Sequence, residues 1–540
     1  MVTKSADRTE VRELRIGLEQ PGTGPLHRAG VAGLWMTLAE IERASAQRTL
    51  RDELLALGGS WERDSLGVTF SWNDDPAPFF ERLVRASFGL TEDGRFHFLA
   101  LGHPDAWPDR GTLLQEAMLA TFLQHGNTRK ADGSRKPSGG VVSVVDEVET
   151  VFPFRRVTAY SQQTGGQQFK PGTSKAIAGW QHPGAAVRHV AFSAGTAVIE
   201  SAASALALVF APVGAIFFRV RQRGEGVRPQ FCLSVPDFDD LAIYSEAREY
   251  WLTRPAYDYI ASGTADAGMR TLAILAVEDR FMASGIHRCD VVSFGTVPWS
   301  KQQKTRVDVF EVADLGADTL RLYALALQFF PPVRRQWARD ANPSDGANWY
   351  WETSPVLALV AANLARHTPW WRGFQGITAD RERRTQLSDH EAALRRARPN
   401  SATGVTALVG RPEAFDDSAQ RQFVTACHEA WERNLGRLGQ RSRERGESFR
   451  DLAGREREQL RVTFSHCKNA ATFRRAITDF WSRAGGALPA LQAGWHEVMP
   501  FLGEAQWEEG RDLALLALAS YPGRHHETER VEDPTEGDEE

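Results

Sequence analysis

Pro21–Leu38 reads PGTGPLHRAGVAGLWMTL. A Gly/Pro turn leads into His27-Arg28-Ala29-Gly30 and then into a small-residue helix bearing Leu34, Trp35 and Leu38. Gly30 and Gly33 leave room for a neighbouring element to approach closely. His27 and Arg28 fall at the start of the helix. Free N–H groups there, beside an arginine, suit a phosphate or an RNA backbone, so both residues are candidates for nucleic-acid contact.

Outward from this stretch the N-terminal part reads as mixed α and β. Helical periodicity covers Ala29–Ala44, Ala77–Ala86 and Leu113–Leu123, and Gly67–Trp72 and Arg95–Leu101 alternate as strands. Residues 126–140, GNTRKADGSRKPSGG, form a polar exposed loop carrying Arg129, Lys130, Arg135 and Lys136. Strand-like material resumes over Val141–Val157, and a Gly/Gln/Lys-rich stretch follows at Thr164–Lys175. The apolar run Ala205–Phe218 spans 14 residues and contains Pro212 and Gly214. Crossing a bilayer takes roughly 20, so the run belongs to a core. It exits through Arg219, Arg221 and Arg223, which alternate along a strand and are expected on one face.

Asp240–Arg366 is helix-rich with strand insertions, and Ser354-Pro355 is a strong helix start that Pro369 ends. Gln375–Pro412 is charged and poor in apolar positions, which predicts a polar linker. Beyond it, Phe423, Ala426, Cys427, Ala430 and Trp431 lie on one helical stripe. Phe449, Leu452, Leu460 and Phe464 form a second, and Phe473, Ile477, Phe480 and Trp481 a third. Short connections between such stripes predict an antiparallel helical bundle. The expected fold class is therefore α+β: a mixed α/β body over residues 1–374, a linker over 375–412, a bundle over 413–522, and an acidic disordered tail over 523–540.

Composition narrows the function. The 540 residues are 42% hydrophobic and 25% charged, with net charge −5, which fits a globular chain of two or three domains and excludes a uniformly basic coat. Four cysteines make no disulfide framework, and the N-terminus has no apolar segment of a secretory signal, so a cytoplasmic setting is expected. No phosphate-binding GxxxxGK[ST], HExxH or GxSxG pattern occurs, so no catalytic residue and no cofactor is assigned. Asp237, Asp239 and Asp240 suggest either metal ligands of a nuclease or, more simply, a turn and helix cap. Cys427-His428 and His466-Cys467 have the chemistry of a zinc set, but adjacent residues on a helix point about 100° apart, and no metal site is assigned.

Basic residues interleaved with aromatics remain, the usual equipment for nucleic acid. Besides the loop cations and the strand exit with Arg228, the helical end carries Arg441, Arg443, Arg445, Arg450, Arg461, Lys468, Arg474 and Arg475. Glu444, Glu447 and Glu456 lie among them, and intrahelical pairing accounts for some of that set in an alternative reading.

Four segments, in order, resemble one family: Pro21–Leu38; Ala211–Arg219; Thr353–Ala365 with Pro369–Phe374; and Cys467–Ala470 with Phe480–Gly485. The family is the large subunit of type I CRISPR surveillance complexes (Cascade), in its Myxan-type branch. The resemblance implies a non-enzymatic subunit that contacts the motif flanking a DNA target and holds the displaced strand of the R-loop, while base pairing to the guide reads the rest. It implies as partners the guide CRISPR RNA, target double-stranded and displaced single-stranded DNA, the backbone, guide-capping and guide-processing subunits, and a recruited helicase-nuclease, with no membrane. Some relatives also make the helical end separately from an internal start. No methionine lies between Met282 and Met499, so that would need a non-standard start such as Val405 or Val409. Two readings from other classes stand beside this one: a metal-dependent nuclease centred on Asp237–Asp240, and a pure scaffold whose arginines are only solvated.

Overall fold

The computed structural model describes residues 12–131, 138–145, 148–183, 198–221, 230–278, 281, 286, 288–299, 302–336, 349–399 and 401–523. The fold is α+β, as expected. It divides into two compact units, Met1–Leu315 with Arg334–Glu352 and Gly316–Val333 with Thr353–Glu540.

The first unit is organised around the segment that opens the sequence. Helix α1 (Pro25–Arg43) starts with proline at its first position, where a missing N–H costs nothing, and buries most of its surface. Among its neighbours are α2 (Arg48–Ala56) and the antiparallel sheet of β1 (Glu13–Gly17), β2 (Gly59–Arg63) and β3 (Gly67–Trp72), with β3 central. Helix α3 (Ala77–Ser87) contributes Phe79 and Phe80, which meet Phe70 edge-on. Strands β4 (Phe88–Leu90) and β5 (Phe96–Phe98) pair next; the expected strand beyond Phe98 is a tight turn over Leu99–Leu101. Helix α4 (Pro108–Ala120) begins five residues before the periodicity expected at Leu113, because Pro108 starts it.

Strand β6 (Arg129–Ala131) pairs with β9 (Val157–Tyr160), and β7 (Gly139–Val145) with β8 (Val148–Phe154). Tight turns over Ser161–Gln168 occupy the Gly/Gln-rich stretch. Strands β10 (Ser174–Ala176) and β11 (Ile199–Ser201) lead to α5 (Ala202–Gly214), the apolar run expected in the core.

Helices α1 and α5 meet backbone to backbone. A Cβ on Gly30 would sit on the Ala207 carbonyl, one on Gly33 would lie 2.9 Å from the Gly214 nitrogen, and one on Gly214 would run into the Ala29 carbonyl. The glycines therefore set the interhelical distance, as the sequence suggested. Pro212 inside α5 cannot donate a hydrogen bond. The last carbonyls of the helix, which have no intrahelical partner, find side-chain donors: Arg248 Nε gives to Val213 at 3.2 Å and the Tyr244 hydroxyl to Gly214 at 3.2 Å. Both donors lie on α6 (Leu241–Thr253), and the buried Arg248 cation is placed at a helix C-terminus, where the dipole favours it.

Strand β12 (Ile216–Arg221) continues from α5 into an antiparallel sheet, order β12-β13-β14-β15, with β13 (Gln230–Pro236), β14 (Arg288–Trp299) and β15 (Gln302–Ala313). Helix α7 (Thr264–Ala276) covers it. The pair β16 (Val333–Gln336) and β17 (Trp349–Glu352) packs Trp349 against Phe152 of β8.

The second unit is helical. Helix α8 (Ala317–Phe329) packs with α9 (Pro355–Leu364), which Ser354 caps by accepting from the Val356 nitrogen. The stretch 375–412, expected as a polar linker, is built instead into α10 (Gln375–Ala379), α11 (Arg381–Ala397) and α12 (Gly404–Val409). Only Leu387, His390 and Leu394 of α11 are buried, and a stripe that narrow, with histidine as one member, leaves almost no apolar signature. Glu391 accepts from the Val405 nitrogen at 3.2 Å and ties α11 to α12.

The expected bundle follows as α13 (Ser418–Arg445), α14 (Phe449–Ser465), α15 (Ala470–Ser482), α16 (Pro489–Val498) and α17 (Trp507–Ser520). Residues 369–374, which the sequence assigned to the N-terminal body, are pinned here. The buried Asp512 carboxylate of α17 accepts from the Gly373 and Gln375 nitrogens at 2.7 and 3.1 Å, and Trp370 Nε1 gives to the Ala414 carbonyl at 2.6 Å. The tail beyond Gly523 lies outside the described residues.

Candidate nucleic-acid interface

His27 and Arg28 do not face solvent. His27 is 9% exposed, and its Nε2 lies 3.6 Å from the Glu200 carboxylate; burial pushes its pKa down against the pull of Glu200. Arg28 is ion-paired with Asp237 and gives a hydrogen bond to the Phe238 carbonyl at 3.1 Å. A cation in the first turn opposes the helix dipole, so these carboxylates compensate for it from within the fold. The pair is a structural tie of the first unit and not a phosphate site.

The same contact answers the acidic group. Asp237 is engaged by Arg28 and lies 3.8 Å from Arg288, while Asp240 caps α6 by accepting from the Ala242 and Ile243 nitrogens. Turn and cap describe these aspartates; two of the three nuclease ligands are already committed.

Arg129 is half-buried and gives a hydrogen bond to the Leu119 carbonyl at 3.3 Å, near the C-terminal end of α4. Burial, with Arg155 nearby, lowers its pKa. Lys130 is exposed, and Arg135 and Lys136 lie outside the described residues.

At the strand exit a β-bulge between Arg219 and Arg221 interrupts the expected alternation. Arg219 is ion-paired with Glu116 of α4 and stacks over the Phe231 ring, 5.6 Å from its centroid. It is a packed ion pair, not a free cation. Arg223 and Arg228 lie outside the described residues, as does the side chain of Arg221.

The helical end is different. Arg441, Arg443, Arg445, Arg450, Lys468, Arg474 and Arg475 are all exposed. Arg474 gives a hydrogen bond to the Leu502 carbonyl at 3.3 Å, whereas Arg461 is held by Glu458 and the Thr378 carbonyl. The acids expected to neutralise the set have other partners: Glu444 accepts from Gln440, Glu447 lies 3.5 Å from Arg455, and Glu456 lies 3.5 Å from Arg483.

Two residues extend this set that the sequence reading passed over. Arg433 and Arg437 precede Arg441 and Arg445 at four-residue intervals, so the four lie on one i, i+4 row with a rise of about 6 Å per step. The signal was present in the spacing of RNLGRLGQRSRER. No residue of α13 beyond Asn434 is buried, and this half of the helix pairs with the first turns of α14. Gly446, at φ +68°, ends α13, and Ser442 gives a hydrogen bond to the Glu447 carbonyl at 2.6 Å. Phe449, expected on a core stripe, lies against Gly439 and is 44% exposed.

The cysteine–histidine pairs do not converge. His428 Nε2 is 3.1 Å from both the Ala517 carbonyl and Ser520 Oγ, and burial drives its pKa down to about 4. Cys427 is buried, its thiol pushed up to about 12, and the Cys467 thiol donates a hydrogen bond to the Thr463 carbonyl at 3.3 Å. Among the described residues no group of three or more His, Cys, Asp or Glu is placed to hold a metal ion. A cleft of about 260 Å³ in the first unit is lined by Glu40, Glu246 and Glu249 together with Arg43 and Arg63, and both arginines are already ion-paired, Arg43 with Glu40 and Glu249 and Arg63 with Glu42. Among the described residues no helix is long and apolar enough to cross a membrane.

Two family models meet this chain, the DevT N-terminal domain over residues 15–209 and the DevT C-terminal domain over residues 413–540, together more than half of it. The chain belongs to the DevT family. The match to the C-terminal domain contains the whole arginine row, and the match to the N-terminal domain contains the α1 segment. A CRISPR-associated protein Cas8a1/Csx13 of Myxococcus xanthus (strain DK1622) is 28% identical over 547 residues, covering 97% of this chain and 91% of that protein. The family expected from four ordered segments is thus the family found.

Proposed function

We propose that this protein is the non-catalytic large subunit of a CRISPR RNA-guided DNA surveillance complex of type I, acting in the cytoplasm with the backbone, guide-capping and guide-processing subunits and a recruited helicase-nuclease. Kinship with a CRISPR-associated protein along 97% of the chain supports the class. The observation that carries the nucleic-acid role is the arginine row on α13, in which Arg437, Arg441 and Arg445 are exposed and Arg433 is half-buried, with Arg443, Arg450, Lys468 and Arg475 exposed on the same helical unit. In this reading the helical unit holds the displaced single strand by its phosphates. Such contacts position a strand without reading its bases, while base pairing to the guide supplies sequence. The flanking duplex motif is contacted elsewhere on the chain.

Counterion release supplies the test. Single-strand binding weakens with salt at a slope of about −0.7 per phosphate neutralised. Replacing Arg433, Arg437, Arg441 and Arg445 by glutamine should therefore flatten the slope for an oligothymidine by about 3. An unchanged slope and affinity would leave the scaffold reading.

A further inference from the structure

We propose that the acidic C-terminal segment, residues 524–540, docks on the arginine row of α13 and competes there with nucleic acid. The inference rests on the reading of that row as a single-strand site and adds its regulation.

The last described turn places the start of the segment. Helix α17 ends at Ser520, whose hydroxyl is 3.1 Å from His428 Nε2, and the Tyr521 ring lies 5.8 Å from the His428 ring. His428 is on α13 itself, five residues before Arg433. At about 1.5 Å per residue the row begins about 7.5 Å along the helix from that contact and ends about 26 Å along it, at Arg445.

Reach and charge both fit. Seventeen residues reach at most about 56 Å at ~3.3 Å each. The whole row is within range. The segment holds eight carboxylates and two arginines, a net charge of −6, against a row whose neighbouring acids Glu429 and Glu444 already accept hydrogen bonds from the Ala490 nitrogen and Gln440. A tethered polyanion acts at an effective concentration in the millimolar range, enough to screen weak, non-specific strands yet yield to one held by guide pairing.

The competition is read with a fluorescent 30-nucleotide oligothymidine and three forms of the full protein: intact, ending at Gly523, and with the eight tail carboxylates replaced by their amides. Removing or neutralising the tail should raise affinity about 3–10-fold at low salt, as expected for a weak tethered competitor. The gain should vanish at high salt and when the four row arginines are glutamine. Docking is read separately, without nucleic acid, by energy transfer between dyes on Gln440→Cys and Glu540→Cys. The dye pair should be close at low salt and separate with salt or with the glutamine row. A dye distance indifferent to both overturns docking. Equal oligothymidine binding with and without the tail overturns the competition alone, while no binding by any form overturns the competition together with the single-strand reading.

Discussion

A methyl group added at Gly30 tests whether glycine sets the α1–α5 distance. The new Cβ would lie 2.5 Å from the Ala207 carbonyl carbon, about 0.9 Å inside the shortest ordinary contact of 3.4 Å. The obstacle is backbone within a buried helix, so it cannot rotate aside. Overpacking costs typically about 1–3 kcal/mol, and an unyielding neighbour argues for the upper end. Alanine also favours helix over glycine by about 0.5–1 kcal/mol. The net expectation for Gly30→Ala is a loss of about 2 kcal/mol, or about 30-fold in the opening constant. Hydrogen exchange followed by mass spectrometry reads this directly: amides of 25–43 and 202–214 should exchange about 30-fold faster, with the helical unit unaffected. Gly436→Ala is the control, since that exposed α13 position has nothing within 4 Å and should gain stability. Unchanged or slower exchange around Gly30 would refute the close-packing argument.

Arg219→Gln should lower the stability of the first unit by about 1–3 kcal/mol in chemical unfolding by leaving the Glu116 carboxylate without its cation, while oligothymidine affinity and salt slope stay as they were. Asp512→Ala should cost the helical unit about 2–4 kcal/mol, because the Gly373 and Gln375 N–H groups lose their shared acceptor; exchange of amides 372–376 should rise. His428 is held neutral down to about pH 4, whereas an unfolded histidine takes up its proton near 6.5. The unfolded chain thus binds more protons between those values, so stability is full above pH 6.5 and falls as pH drops toward 4, by as much as about 3 kcal/mol. Denaturation midpoints of the helical unit at pH 7 and 4.5 should differ less in His428→Gln.

Elements with a strong local signature were legible: the small-residue helix at Pro25, strand β3, the Ser354 cap, and the aromatic stripes of α13, α14 and α15. What escaped had no local signature. Helix α11 buries three side chains and otherwise looks like solvated chain. Arg28 and Arg219 read as free cations because their carboxylates lie 209 and 103 residues away in sequence. Arg433 and Arg437 were visible by spacing alone, but counting cations, instead of following one helical face, hid the row.

The order of the chain between the two units has a consequence for biosynthesis. Helix α8 belongs to the helical unit, yet residues 334–352 return to the first unit before Thr353 resumes the second. During translation α8 therefore appears well ahead of the bundle it belongs to. About 190 residues separate the end of α8 from the end of α17, some 10–40 s at ordinary elongation rates. Throughout that interval Leu320, Tyr323 and Phe329 of α8 await their final packing. A product begun at Val405 or Val409 would face the opposite difficulty: it would lack α8, α9, α10 and α11, and from Val409 α12 as well, so α17 would expose surface that α10 covers in the full chain.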